Sequence, residues 1–299
     1  MIWWKSPSYS SYSRKHSDIS LHKQCTQGTF WNRHAWWVIW CRFRLWVWHW
    51  RQAILTHPDR HFASDLVHDL QFGCRLVYQG PCYQRINPNL KSTLLHPNAV
   101  TEVLMKDVGR GHKAGSFLSP SLPTLQCSPL GLVPKKDGSW RIIMDLFSPQ
   151  GLSNNDFIPK EDYTLHYATF DQALALVSSF GTGALMAKLD LKLAFCLCPV
   201  SPSDWDLLGM HWQGKFYVDL RLFNCLADAF EWILKHNYTI YSLMYYLDDY
   251  FTVGLPSSPL CASQVDIMAP DKLEGPTSRL VFLGILIDSN LMECSLPPD

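Results

Sequence analysis

Residues 242–254 read SLMYYLDDYFTVG and contain the feature from which the rest of the sequence is interpreted. Apolar, aromatic and β-branched residues, which favour strands, stand on both sides of the acidic pair Asp248-Asp249. The pattern predicts two antiparallel strands, Ser242–Leu247 and Tyr250–Gly254. The two aspartates then occupy the two-residue turn between the strands.

The acidic pair calls for a cation, because two adjacent carboxylates raise each other's pKa unless a positive charge lies between them. A third carboxylate, Asp190, ends the apolar strand Ala184–Asp190. Three carboxylates from two β elements are a suitable ligand set for two Mg²⁺ or Mn²⁺ ions, which prefer oxygen ligands. The alternative is that the Asp-Asp pair is only a turn, which is the commoner case for such a pair taken alone.

Strands, helices and hairpins interleave along the remaining chain, which predicts an α+β class with an antiparallel sheet. Residues 111–134 are rich in Gly, Ser and Pro and are expected to run extended over the surface. Hairpins are predicted around Lys135–Ser139, around Gln213-Gly214, and between Val281–Ile287 and Leu291–Leu296. Helices are predicted between Asp59 and Gly73, over Asn98–Val108, over Thr169–Phe180 and over Phe223–Asn237, the last with a Glu231–Lys235 ion pair.

Composition restricts the class of protein. The 299 residues carry 26 basic and 26 acidic side chains, so net charge does not indicate a nucleic-acid partner, and 47% hydrophobic residues suffice for a globular core. The ten cysteines have no usual metal or redox spacing and are interpreted as free thiols of an intracellular protein. No apolar run reaches the roughly 20 residues of a membrane span, and the start lacks a signal-peptide layout, so neither membrane insertion nor secretion is expected.

Several separated motifs resemble, in order, those of a reverse transcriptase. More closely, they are similar to the polymerase of DIRS-type retrotransposons, which integrate through a tyrosine recombinase. The resemblance covers about His57 to Asp299. It is carried by SPLGLVPKKDGSWR (128–141), GALMAKLD (183–190), LLGM (207–210), LADAFEW (226–232), YLDD (246–249) and FLG (282–284).

The resemblance implies a right-hand polymerase that performs template-directed nucleotidyl transfer, with an RNA or DNA template, a DNA primer and dNTPs as partners. In such enzymes the aspartates that match Asp190 and Asp248 bind both metal ions and the one that matches Asp249 supports them. The implied catalytic and metal-binding residues are therefore Asp190, Asp248 and Asp249. The implied nucleotide-binding residues are Lys135, Lys136, Arg141 and the steric gate Phe195, and the primer-grip-like residues are Phe282, Leu283 and Gly284. Without the resemblance, the basic residues would be a solvated turn and Phe195 a core aromatic.

Composition and the resemblance together imply a division of the chain. Residues 1–52 hold nine of the 13 tryptophans and are expected to be an irregular extension. Residues 53–125 form a helical and extended lead-in, residues 126–182 the fingers, and residues 183–299 the palm with its closing hairpin. A thumb, a ribonuclease H and a recombinase are not evident.

The match fails between Leu222 and Phe223, where relatives carry a loop that contacts the template. A palm helix is also expected to be missing within Leu255–Pro270. One hypothesis is therefore a reverse transcriptase impaired by loss of the template-contacting loop. The alternative is a non-catalytic relic that at most binds single-stranded nucleic acid. A membrane-surface role for Trp36–Trp50 is weaker, because that stretch lacks an amphipathic period.

Overall fold

The computed structural model describes residues 47–135, 137–159, 168–190, 198–222, 226–246, 249–256 and 273–297. These residues form two compact units. The first unit draws on residues 1–164 and 195–224, and the second on residues 165–194 and 225–299. The extension predicted over residues 1–52 lies outside the described residues up to position 46, and residues 47–53 are helical.

Five further helices and sixteen strands have defined bounds in the described part of the chain. The helices are α1 (Arg60–Phe72), α2 (Lys91–Leu95), α3 (Pro97–Gly109), α4 (Phe170–Phe180) and α5 (Leu226–Asn237). The strands of the first unit are β1 (Arg85–Ile86), β2 (Lys113–Phe117), β3 (Gln126–Cys127), β4 (Leu130–Pro134), β5 (Trp140–Met144), β7 (Cys198–Pro199), β8 (Gly209–Trp212), β9 (Lys215–Asp219) and β10 (Arg221–Leu222). Those of the second unit are β6 (Leu185–Asp190), β11 (Leu243–Tyr246), β12 (Asp249–Gly254), β13 (Leu273–Thr277), β14 (Arg279–Phe282), β15 (Ile285–Asp288) and β16 (Glu293–Ser295).

The first unit contains a five-stranded sheet in the order β1-β3-β8-β9-β2, the hairpin β4-β5 and the short pair β10-β7. The two hairpins predicted in this unit, β4-β5 and β8-β9, are confirmed. The expectation of a surface path over residues 111–134 is wrong for its second half, where Leu125, Leu130 and Leu132 are buried. The reason is that β3 lies between β1 and β8, while β4 packs on α3 through its leucines.

The second unit is built on a four-stranded antiparallel sheet in the order β11-β12-β6-β13. Alternate residues of these strands enter two different cores, as the two-residue period of a strand requires. Met186 and Phe251 pack with Ala173 and Val177 of α4 and with Phe282. Residues on the opposite face of the same strands, Leu189 and Tyr250, pack instead with Leu234 of α5 and with Leu243. Both faces of the sheet are therefore covered.

Local signals agree with the observed helix ends. Asp59 caps α1 by accepting a hydrogen bond from the Phe62 amide at 2.9 Å, and Gly73 ends this helix. Thr169 and Gln172 form a capping box at the start of α4. In α5 the Lys235 ammonium lies 2.8 Å from the Glu231 carboxylate, as the four-residue spacing predicts.

The closing hairpin predicted between Val281–Ile287 and Leu291–Leu296 is confirmed as the pair β15-β16, but residues 281–287 are not the expected single strand. Two strands, β14 and β15, pair in this region, and β16 adds to β15. Leu283 and Gly284 lie between them with φ values of +51° and +79°. Positive φ at both central positions is typical of a tight hairpin turn. The sequence pattern does not predict this turn, because Phe-Leu-Gly continues an apolar run.

Three of the described cysteines, Cys82, Cys127 and Cys294, are free thiols, as expected. Burial raises the pKa of the Cys127 thiol to about 12, so this thiol stays protonated at neutral pH. Among the residues that the structure describes, no helix is both long and apolar enough to cross a bilayer.

We expect Phe251→Ala to lower the free energy of unfolding by about 3–5 kcal/mol, because it removes a fully buried ring. That ring stacks on Phe282 with centroids 4.6 Å apart. Phe251→Leu, which keeps most of the volume, should cost less than about 1.5 kcal/mol. Urea-induced unfolding monitored by tryptophan fluorescence measures both variants, and equal losses would contradict the packing described.

Candidate active site

The candidate site lies at one end of the sheet in the second unit, where β6 ends and β12 begins. Asp190 is the last residue of β6 and Asp249 is the first residue of β12. The two residues are direct partners in the antiparallel register. Directly opposed residues in such a pair have Cα atoms about 4.5–5.5 Å apart. The register therefore brings the backbones of two of the three predicted aspartates together.

Asp249 also pairs with Tyr246 of β11 on its other side. The prediction that both aspartates form the hairpin turn is therefore wrong for Asp249, which belongs to the strand. The β11-β12 ladder includes the pair Tyr246–Asp249, one pair more than the apolar pattern predicts. An acidic residue such as Asp249 can occupy the end of a strand because its side chain can point to solvent. Leu247 and Asp248 connect the two strands and lie outside the described residues.

Within the described part of the chain, the basic side chain of Lys188 reaches the Asp249 carboxylate. Lys188 of β6 places its Nζ atom 3.6 Å from Oδ1 of Asp249. Lys188 is the register partner of Phe251, so it lies diagonally across the strand pair from Asp249. The sequence pattern does not predict this ion pair, because only the β6-β12 register makes Lys188 and Asp249 neighbours.

Two tyrosines tie the hairpin β11-β12 to the first turn of α5. Tyr250 is buried and its hydroxyl donates to the Ala227 carbonyl at 3.0 Å. Tyr245 is its cross-strand partner, with ring centroids 5.7 Å apart, and its hydroxyl donates to the Asp228 carboxylate. These bonds hold the strands that lead to the Tyr246–Asp249 tip against the helix. Nothing in the sequence pattern predicted them, because they join residues from different elements.

The predicted nucleotide-binding residues Lys135 and Arg141 flank the β4-β5 turn in the first unit, and both are exposed. The Lys135 amide donates to the Ser139 carbonyl at 2.7 Å, which closes the turn. Hydrogen bonds from the Ser139 hydroxyl and amide hold the pKa of Asp137 below its usual value. Lys136 and the steric-gate candidate Phe195 lie outside the described residues.

The three primer-grip-like residues lie at the turn between β14 and β15. Phe282 is buried in the core next to α4, so its ring stabilises the sheet. Leu283 and Gly284 form the turn itself. The segment therefore presents backbone at a hairpin tip rather than the buried strand that the apolar run suggested.

Other candidate metal ligands do not cluster. In the described ranges, no three His, Cys, Asp or Glu side chains are arranged to hold a metal ion. His61 and His68 on α1 are exposed, and the Nδ1 atom of His57 accepts a hydrogen bond from the Asp59 amide at 3.1 Å.

The acidic residues at the end of β6 and β12 fit divalent metal ions. Carboxylate oxygens are hard donors of the kind that Mg²⁺ and Mn²⁺ bind. The observed register joins Asp190 to Asp249, and Asp248 precedes Asp249 in the chain. The donor type suits Mg²⁺ or Mn²⁺, and the register brings the backbones of Asp190 and Asp249 together, whereas Asp248 and the side chain of Asp190 lie outside the described part of the chain.

Comparisons with known proteins identify the fold of the chain. No known protein-family profile matches the chain. A stretch of 95 residues, 32% of the chain, is 33% identical to the Pro-Pol polyprotein of simian foamy virus type 1 and corresponds to 7% of that polyprotein. The solved structure of a prototype foamy virus protease-reverse transcriptase CSH mutant aligns with a TM-score of 0.51 at 17% identity, over 84% of this chain and 36% of that one. The fold is that of a reverse transcriptase.

A second structure, the foamy viral protease-reverse transcriptase in complex with an RNA/DNA hybrid, aligns with a TM-score of 0.50 at 16% identity over the same shares of the two chains. This chain therefore spans little more than a third of these solved reverse transcriptases and a small part of the polyprotein. The predicted α+β class, with antiparallel sheets and packed helices in a right-hand polymerase fold, is confirmed.

We expect Tyr245→Phe to lower the free energy of unfolding by about 1–2 kcal/mol, because it removes a hydrogen bond to a carboxylate. Tyr241→Phe is the matched control, since Tyr241 is 72% exposed. That variant should stay within about 0.5 kcal/mol of the parent protein. Denaturant unfolding of both variants provides the comparison. Equal stability of the two would show that the hairpin does not depend on the bond to Asp228.

Proposed function

We propose that this chain is the fingers-and-palm region of an RNA-directed DNA polymerase of retrotransposon origin. The observation that carries the proposal is the register that places Asp190 opposite Asp249 at the end of the sheet. Asp248 directly precedes Asp249 in the chain. The similarity to the foamy virus Pro-Pol polyprotein and the reverse transcriptase fold support it. The motifs over residues 128–141 and 226–232 favour a DIRS-type element.

Asp190, Asp248 and Asp249 form the acidic set of the proposed site, with Asp190 and Asp248 as ligands of two Mg²⁺ or Mn²⁺ ions and Asp249 in support. When bound, such ions activate the primer 3′-hydroxyl and neutralise charge on the incoming triphosphate. The protein residues orient the reactants. Direct opposition on paired strands keeps the acidic residues at fixed spacing while substrates exchange.

The fingers, residues 126–182, hold the incoming dNTP in this proposal. Arg141 offers two parallel donors to phosphate oxygens, and Lys135 and Lys136 act as compact point charges. Exposure of Lys135 and Arg141 leaves them available for an anionic ligand. Phe195 excludes a ribose 2′-hydroxyl, and the turn at Leu283-Gly284 contacts the primer end. The template is RNA or DNA, as in the similar structure that holds an RNA/DNA hybrid.

One feature of the sequence favours the alternative, a non-catalytic relic. Three residues, 223–225, separate Leu222 of β10 from Leu226 of α5 in the sequence, where relatives carry a template-contacting loop. Without that loop the template is held less firmly. A misplacement of about 1 Å lowers a rate by about a hundredfold. We therefore expect extension to be slow, and a relic would retain only single-strand binding with a steep dependence on salt.

Primer extension on an RNA template with a DNA primer tests the function. We expect Mg²⁺- or Mn²⁺-dependent extension that Asp248→Asn lowers by at least about a hundredfold, because several kcal/mol of charge stabilisation is lost. Asp171→Asn, the same change on an exposed first-turn residue of α4, should leave the rate unchanged. Extension that persists in Asp248→Asn comes from a contaminant and would contradict the proposal. Salt-sensitive binding of single-stranded nucleic acid without primer extension would favour the alternative, the non-catalytic relic.

We expect Phe195→Ala to raise the use of ribonucleotides relative to deoxyribonucleotides by about 10–100-fold, because the steric barrier to the 2′-hydroxyl is removed. Competing incorporation of a matched rNTP and dNTP pair measures the ratio. Phe195→Tyr, which keeps the ring, is the control. An unchanged ratio in Phe195→Ala would show that this residue is only a core aromatic.

A further inference from the structure

Lys188 has a position that the proposed function does not explain. Its ammonium lies 3.6 Å from the Asp249 carboxylate, and the two side chains are 23% and 28% exposed. Lys188 and Asp249 are diagonal neighbours on paired strands, a separation of about 7–8 Å that a long side chain spans. The ion pair therefore follows from the register itself.

The surroundings of Lys188 favour this pairing. Its register partner Phe251 is fully buried, and the preceding residue on the same face of β6, Met186, is buried in the same core. A charged group that emerges from an apolar core is stabilised by an opposite charge close by. On the other side of β6, the register partner of Lys188 on β13 is Glu274, which is exposed. Glu274 lies further than Asp249 from the end of the sheet at which β6 ends.

We propose that Lys188 is the internal counter-cation of Asp249, and that this ion pair keeps the Asp249 carboxylate out of the set of metal ligands. The inference rests on the proposed function, because it concerns the same metal site. Lys188 is thus a positioning residue.

The charges of the four side chains explain why Lys188 would keep Asp249 out of the set of metal ligands. Three carboxylates have a formal charge of −3, and the ammonium of Lys188, which lies 3.6 Å from Asp249, reduces the formal charge of the group to −2. An ammonium that lies on a carboxylate competes with a metal ion for the same oxygens and repels the ion. In this proposal Asp249 pairs with Lys188, and Asp190 and Asp248 are the ligands of the metal ions.

Binding of Mn²⁺ alone, measured as the loss of the free Mn²⁺ electron paramagnetic resonance signal, tests the assignment without any activity assay. We expect Lys188→Met to tighten Mn²⁺ binding about three- to tenfold, because Asp249 is released as a ligand. Lys188→Arg keeps the charge and should bind like the parent protein. Asp249→Asn alone should change binding less than about twofold.

The double variant separates this mechanism from a general field effect. In the Asp249→Asn background, Lys188→Met should change Mn²⁺ affinity by less than about twofold, because the lysine acts through Asp249. An equal gain in both backgrounds would overturn the proposal, since it would mean that removal of any nearby positive charge is sufficient. A loss in Asp249→Asn as large as in Asp248→Asn would also overturn it, by making Asp249 a ligand. If neither Asp190→Asn nor Asp248→Asn weakens binding, the metal site itself fails, and the assignment of Lys188 fails with it.

Discussion

Pairing between β6 and β12 is the constraint on which the second unit depends. Six successive residue pairs, from Leu185 opposite Gly254 to Asp190 opposite Asp249, join these strands. A slip of one residue would move every side chain to the other face of the sheet. Because α4 covers one face and α5 covers the other, such a slip would expose neither face to water but would exchange the contents of two shaped cores. The two cores therefore specify one register, and that register fixes where the acidic residues meet.

The same pairing connects core packing with chemistry. Phe251 and Met186 continue the apolar face toward α4, and Lys188 and Asp249 follow them at the end of the sheet, where the core gives way to charged groups. The tyrosines at positions 245 and 250 act on the opposite face and tie the hairpin to α5. Charged groups at the tip are thus held by neutral packing beneath them, which is the arrangement that a site with fixed ligand spacing requires. The reverse transcriptase fold supplies this arrangement.

Local features of the structure could be predicted from the sequence, whereas features that join distant segments could not. Caps, the α4 capping box, the Glu231–Lys235 pair and the β4-β5 hairpin all depend on residues within a few positions of one another. The extra Tyr246–Asp249 pair, the turn at Leu283-Gly284 and the burial of Leu125–Leu132 depend on which strand or helix lies alongside. The Lys188–Asp249 ion pair is of the same kind, since its two residues are 61 positions apart and only the register makes them neighbours. Family-like motifs located the aspartates, but they did not show how the aspartates are held.

The central claim, that Asp190 lies directly opposite Asp249, can be tested most directly by disulfide trapping. Opposed Cα atoms about 4.5–5.5 Å apart lie within the range that a disulfide bridges. We expect the double variant Asp190→Cys/Asp249→Cys to form this cross-link readily under mild oxidation, as identified by peptide mass spectrometry. Asp190→Cys/Phe251→Cys, displaced by one pair along the same face, should not. Efficient cross-linking of the displaced pair, with none between positions 190 and 249, would contradict the register and with it the proposed site.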